Sequence, residues 1–147
     1  MPRLSFLDAH PAAIPVLAAW HHAEWGALYD HWTLDVCRGE LADHATRRGL
    51  PTTLVLHGDD GALLGSVSLV LEDAPEFAGE GSPWLASLYV RADARGAGHG
   101  ATLARAGAWN LNHAQAPFTA GNRISAATDI GGELGGPMIA NRLWAWG

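Results

Sequence analysis

The stretch Leu88-Tyr89-Val90-Arg91-Ala92-Asp93-Ala94-Arg95-Gly96-Ala97-Gly98-His99-Gly100-Ala101-Thr102-Leu103 decides how the rest of the chain is read. Its first residues are apolar and β-prone. A short polar loop follows, then alternate glycines that open on a segment with helical spacing. Strand, loop, Arg-Gly-x-Gly-x-Gly and helix together describe a cradle for an anion. Glycine lets backbone approach an oxygen-rich group with no Cβ in the way. The first turn of a helix has N–H groups without an internal partner, and its dipole favours negative charge. Arg95 adds a cation whose planar fork suits bidentate contacts. These pieces suit a pyrophosphate.

Working outward, Trp84 to Val90 is nearly all apolar and reads as a central strand. Upstream, Thr52 to His57 and Leu64 to Leu71 are β-rich and flank Gly58-Asp59-Asp60-Gly61, a strong turn signal, so they form an antiparallel hairpin. Val67 and Leu69 alternate with Ser66 and Ser68, which predicts one buried face and one more polar face. Glu72 to Pro83 is an acidic loop. Nearer the N-terminus, Ile14, Leu17, Ala18, His21, Trp25 and Leu28 keep helical spacing between about Asp8 and Tyr29. Pro11 and Pro15 confine the start of that helix. A second helix runs from about Leu34 to Arg48. Thr33 is its N-cap, Leu34, Cys37, Leu41 and Ala45 share a face, Gly49 is its C-cap, and Pro51 prevents continuation. A third helix runs from about Gly98 to Trp109.

The quoted stretch resembles the acetyl-CoA motif of the GNAT (Gcn5-related N-acetyltransferase) family, and the preceding order of elements is similar too. Ala92 stands where family members often have proline. The resemblance covers roughly the first 105 residues. It implies a mixed α/β (α+β) fold of the acyl-CoA N-acyltransferase type, antiparallel in its first half. Residues 1–106 would be the acetyl-CoA-binding core and 107–147 an atypical glycine-rich segment. A dinucleotide-binding turn is the rival reading, because Gly96-x-Gly98-x-x-Ala101 fits its string. That fold needs parallel strand-helix-strand units and an acidic residue about 20 positions on. Here a hairpin precedes the motif and the next acidic residue is Asp129.

By the same resemblance, the backbone of Leu88, Tyr89 and Val90 would bind the acetyl carbonyl and the pantetheine arm. The amides of Arg95, Gly96, Ala97, Gly98, His99, Gly100 and Ala101 would hold the pyrophosphate. The implied activity is acetyl transfer from acetyl-CoA, a co-substrate, to a primary amine on a small molecule or peptide. An amine with a pKa of about 10.4 must lose a proton to attack, so a base is needed. Glu72 and Asp73 are the candidate bases, and a solvated acidic loop is their plain alternative. His22, Glu24, Trp25 and Tyr29 would line the acceptor groove. The family's acid is a tyrosine in the C-terminal part, whereas this chain has only Tyr29 and Tyr89.

The expected strand-helix-strand alternation is missing after about Ala106. Either the chain is a family variant with a short irregular end, or its reading frame is disrupted there. The abruptness favours the second. An incomplete end would leave the central strand without its usual neighbour and motivates a different reading: an inactive CoA-binding or interaction domain.

Bulk properties narrow the partners. The chain has 147 residues, 48% hydrophobic and 16% charged, enough for one globular domain. A net charge of −6 and the absence of a long basic run argue against nucleic acid. Cys37 is the single cysteine and can form no internal disulfide, and no segment reads as a signal peptide or membrane span, so the expected compartment is the cytoplasm. His21 and His22 are adjacent and project about 100° apart on a helix, which is not a metal-ligating pair, so no metal is expected. The resemblance implies that two copies can pair as a homodimer.

Overall fold

The computed structural model describes residues 1–47, 49–72, 83–113, 136–139 and 143–145. The elements are β1 (Arg3–Phe6), α1 (Ala13–Trp25), α2 (Leu34–Asp43), β2 (Thr52–His57), β3 (Leu63–Val70), β4 (Trp84–Val90), α3 (His99–His113), β5 (Gly136–Ile139) and β6 (Leu143–Ala145). They build one mixed sheet in the order β1-β2-β3-β4-β6-β5. Strands β1 to β4 are antiparallel neighbours, β6 runs parallel to β4 at Leu85 and Leu143, and β5 is antiparallel to β6.

The two faces of the sheet bury different things. Successive strand residues point to opposite sides. On β2, Leu54 and Leu56 pack with Leu103, Ala104 and Leu111 of α3, while Val55 packs with Leu17 and Ala18 of α1 and Cys37 and Leu41 of α2. The hairpin β2–β3 forms as the turn residues predict, with Thr53 opposite Ser68 and Val55 opposite Ser66. Helix α2 starts where its cap requires, with the Val36 amide donating to Thr33 Oγ1 at 3.2 Å.

Several boundaries differ from the sequence reading. Helix α1 is shorter than Asp8–Tyr29, because 3-10 turns at Leu7–Ala9 and Gly26–Leu28 flank it. Helix α2 ends at Asp43 with His44 as its C-cap, so Gly49 caps nothing and serves instead as a left-handed residue with φ +88°. Strand β1 escaped the sequence reading altogether; its four residues are held by pairing with β2, not by an apolar pattern of their own. Gly107 does not interrupt α3, which continues to His113. A Cβ at Gly107 would come within 2.6 Å of Leu85 Cδ1, so this glycine lets the helix press against β4. Nor does β4 lack a second neighbour at Leu85, where β6 pairs with it.

The serine face of β3 is more polar, as expected, yet it is not exposed. Ser66 is 0% and Ser68 2% accessible. Both hydroxyls are satisfied inside the protein. His21 Nε2 and Ser66 Oγ are hydrogen-bonded at 3.0 Å, Ser68 Oγ and Thr53 Oγ1 at 2.8 Å, and Thr53 Oγ1 and His44 Nδ1 at 3.1 Å. A buried polar line thus lies between the sheet and helices α1 and α2, and pairing is what makes its burial tolerable.

Candidate functional site at the end of the fourth strand

Strand β4 carries a bulge. Ser66 faces Tyr89 and Ser68 faces Ala86, so Ser87 and Leu88 together oppose Val67. Ser87 adopts φ +50°, a conformation rare outside glycine. Such a bulge takes a residue out of the ladder and turns its backbone groups away from the neighbouring strand. Gly65 lets β3 and β4 converge just beyond it, since a Cβ there would lie 2.4 Å from the Tyr89 carbonyl oxygen and 3.2 Å from Val90 Cα.

From Val90 the chain passes through a 3-10 turn at Ala92–Ala94 and then through Arg95 to Gly98 into α3. Gly96 and Gly98 both have φ +81°, and a Cβ at either would meet no atom of the described residues within 4 Å. The glycines are therefore required by backbone conformation, and none of the described residues fills the space above them. The first helical bond is Thr102 N–H to the Gly98 carbonyl at 3.1 Å. It follows that the amides of His99, Gly100 and Ala101 precede any intrahelical partner. Open space, two left-handed glycines and three amides without helical partners are what a pyrophosphate cradle needs.

Arg95 does more than the sequence reading assigned to it. Its Nε donates to the Val90 carbonyl at 3.0 Å, and its guanidinium carbon lies 5.4 Å from the centroid of the Tyr89 ring. The side chain ties the glycine turn back to β4. Tyr89 is in turn the centre of an aromatic group. Trp20 stacks on it at 5.6 Å, Trp25 meets it edge-on at 6.1 Å, and His21 lies 5.9 Å away. Burial pushes the His21 imidazole down to about pKa 4, so it is neutral at pH 7.

The family model of the acetyltransferase (GNAT) family matches residues 14–129, well over half of the chain. The chain belongs to that family. As a GNAT domain it falls among proteins that transfer acyl groups from acyl-CoA. A solved structure described as "Putative acetyl transferase from Pyrococcus furiosus" superposes with a TM-score of 0.50 at 17% identity, covering 78% of each chain. At that identity the likeness speaks for the fold. No curated protein sequence matches the chain.

On this GNAT scaffold the expected site residues divide into groups. Leu88, Tyr89 and Val90 stand on β4 beside the bulge, and Arg95 to Ala101 form the turn and first helical residues next to it. Trp25 joins Tyr89, whereas His22 and Tyr29 pair with Trp32 instead, at 6.1 and 6.5 Å between ring centroids. Glu24 is exposed on α1. Glu72 is exposed just past β3, and Asp73 lies outside the described residues. Glu72 is five positions past Val67 and beyond the end of β3, so an extended chain would place it roughly 16 Å away. The sequence reading did not assign His21, Ser66 and Ser87 to the site, and it left Trp20 between core and groove wall. The four-position spacing of His21 and Trp25 on α1 was the available signal for His21; nothing local marks Ser87 as a bulge. Among the described residues no cluster of His, Cys, Asp and Glu could hold a metal ion, and no helix is long and apolar enough to cross a membrane.

Proposed function

We propose that this GNAT domain transfers an acetyl group from acetyl-CoA to a primary amine. The observation that carries this reading is the adjacency of the β4 bulge at Ser87–Leu88 to the open glycine turn at Gly96 and Gly98. The two features serve opposite ends of one long thioester. The amides of His99, Gly100 and Ala101 take the pyrophosphate. Backbone groups of Leu88 to Val90 take the pantetheine arm and the acyl carbonyl. The amine nitrogen attacks the thioester carbon, an N–C bond forms, and the C–S bond then breaks to release the CoA thiolate. N–H donors at the strand stabilise the oxyanion while it exists. The amine's proton passes to water and from there to a carboxylate, with Glu72 and Asp73 as the candidates. The thiolate takes a proton from solvent.

A second reading is CoA binding without transfer. It is favoured by the tyrosine count: Tyr29 and Tyr89 are the only two, and neither stands in the C-terminal part, where the family's acid is found. Calorimetry with acetyl-CoA, desulfo-CoA and NADH, followed by thiol release with a panel of amines, separates the readings. Binding of acetyl-CoA with amine-dependent thiol release supports transfer. Binding with no release above background supports the second reading, and no binding by the folded chain rejects both.

A further inference from the structure

The wall beside the bulge is aromatic, and a cation already occupies it. Trp20 and Trp25 both pack on Tyr89, and all three rings are partly buried, so each keeps some surface toward solvent. Tyr89 directly follows the bulge residues, which brings this wall next to the proposed acyl carbonyl. Free aromatic faces would attract an ammonium group. Here the guanidinium of Arg95 lies over the Tyr89 ring, held by its bond to the Val90 carbonyl. A chain of several ammonium groups would keep positive charge beside Arg95, whereas a single amine gives up its proton before it attacks. His21 packs against Trp25 and Tyr89, and burial keeps it neutral, so it supplies no compensating charge. Glu24, next to Trp25 in the chain, is on the exposed side of α1.

We infer that the acceptor is a primary amine joined by a short linker to an aromatic ring, and not a polyamine. The ring packs against Trp25 while the amine reaches the carbonyl held at the bulge. Flat apolar surface matches such a ring, and the Arg95 charge discriminates against polycations. This inference rests on the acyl-transfer reading.

Calorimetry on the full chain saturated with CoA tests it without needing turnover. The probes are 2-phenylethylamine and spermidine. The expected result is phenylethylamine binding at least about tenfold tighter than spermidine. Trp25→Ala should weaken phenylethylamine by about tenfold and leave CoA affinity unchanged, and Trp25→Phe should restore most of the loss. Spermidine binding as tightly, phenylethylamine failing to bind, or an unchanged affinity in Trp25→Ala overturns the inference alone. CoA failing to bind the wild-type chain removes the acyl-transfer reading and this inference with it.

Discussion

His21 Nε2 is hydrogen-bonded to Ser66 Oγ at 3.0 Å, and Ser66 is the register partner of Tyr89 across β3 and β4. One buried imidazole thus links helix α1 to the strand pair that forms the candidate site. Because this histidine is 2% accessible, its protonation is costly in the folded state.

That cost has a defined pH signature. The folded pKa of His21 is about 4, below the ordinary 6.5, with burial the main cause and His44 a lesser one. Between those values the unfolded chain binds a proton that the folded chain refuses. Stability is therefore fully present above about pH 6.5 and falls as pH drops toward 4, by on the order of 3 kcal/mol. Burial also lowers the pKa of His44 and His57, which adds to the trend. Urea unfolding at pH 7 and pH 5 should show the loss, and His21→Gln should flatten it. A wild type equally stable at both pH values would contradict the burial of this group.

Arg95 holds the turn to β4 by one hydrogen bond and one ring contact. Arg95→Ala should weaken acetyl-CoA binding by at least about tenfold, since the tie that holds the glycine turn to β4 is lost. Arg95→Lys should recover only part, because lysine lacks the planar fork. Calorimetry reads both, and full recovery by lysine would reduce Arg95 to a point charge.

The glycines of the motif should not be equivalent. Gly98 sits at φ +81° with open space around it, so Gly98→Ala costs about 1–2 kcal/mol of backbone strain without a clash. A Cβ at Gly100 would make ordinary contacts of 3.8 Å with Leu88 Cδ2 and Val90 Cγ2, so Gly100→Ala should leave stability within about 0.5 kcal/mol of wild type. Denaturant midpoints for the two variants give the comparison directly.

Gly65→Ala should be more damaging than either. Its Cβ would collide with the Tyr89 carbonyl, a backbone atom that cannot rotate away. The expected loss is about 1–3 kcal/mol, together with weaker acetyl-CoA binding as β3 and β4 separate at the site. Unchanged thermal stability would mean that the strands can open there without cost.

Cys37 is 1% accessible, and burial together with Glu40 raises its pKa to about 11. It should resist an aromatic disulfide reagent at pH 8 and react only as the chain unfolds. Rapid labelling under native conditions would show that α2 opens locally.

What could be read from the sequence was whatever is local. The hairpin followed from Gly58 to Gly61 between two β-rich runs, the α2 start from Thr33, and the turn into α3 from the glycines after Arg95. Each of these depends on residues within a few positions of one another. The family could be read for the same reason, because its motif is one continuous stretch. Helix ends were less legible: α2 stops at Asp43 although helical spacing continues to Ala45.

Tertiary structure alone decided the rest. Strand β1 exists because β2 offers it a partner. The bulge at Ser87–Leu88 exists because β3 and β4 must accommodate an extra residue, which no local preference announces. The burial of Ser66 and Ser68 depends on His21, 45 residues before Ser66, and on Thr53 across the hairpin, which satisfy them. The place of Arg95 over Tyr89 depends on a turn that folds back on its own strand. Sequence patterns encode hydrogen bonds and faces within an element; which distant groups satisfy a buried hydroxyl or cover a ring is settled only when the elements pack.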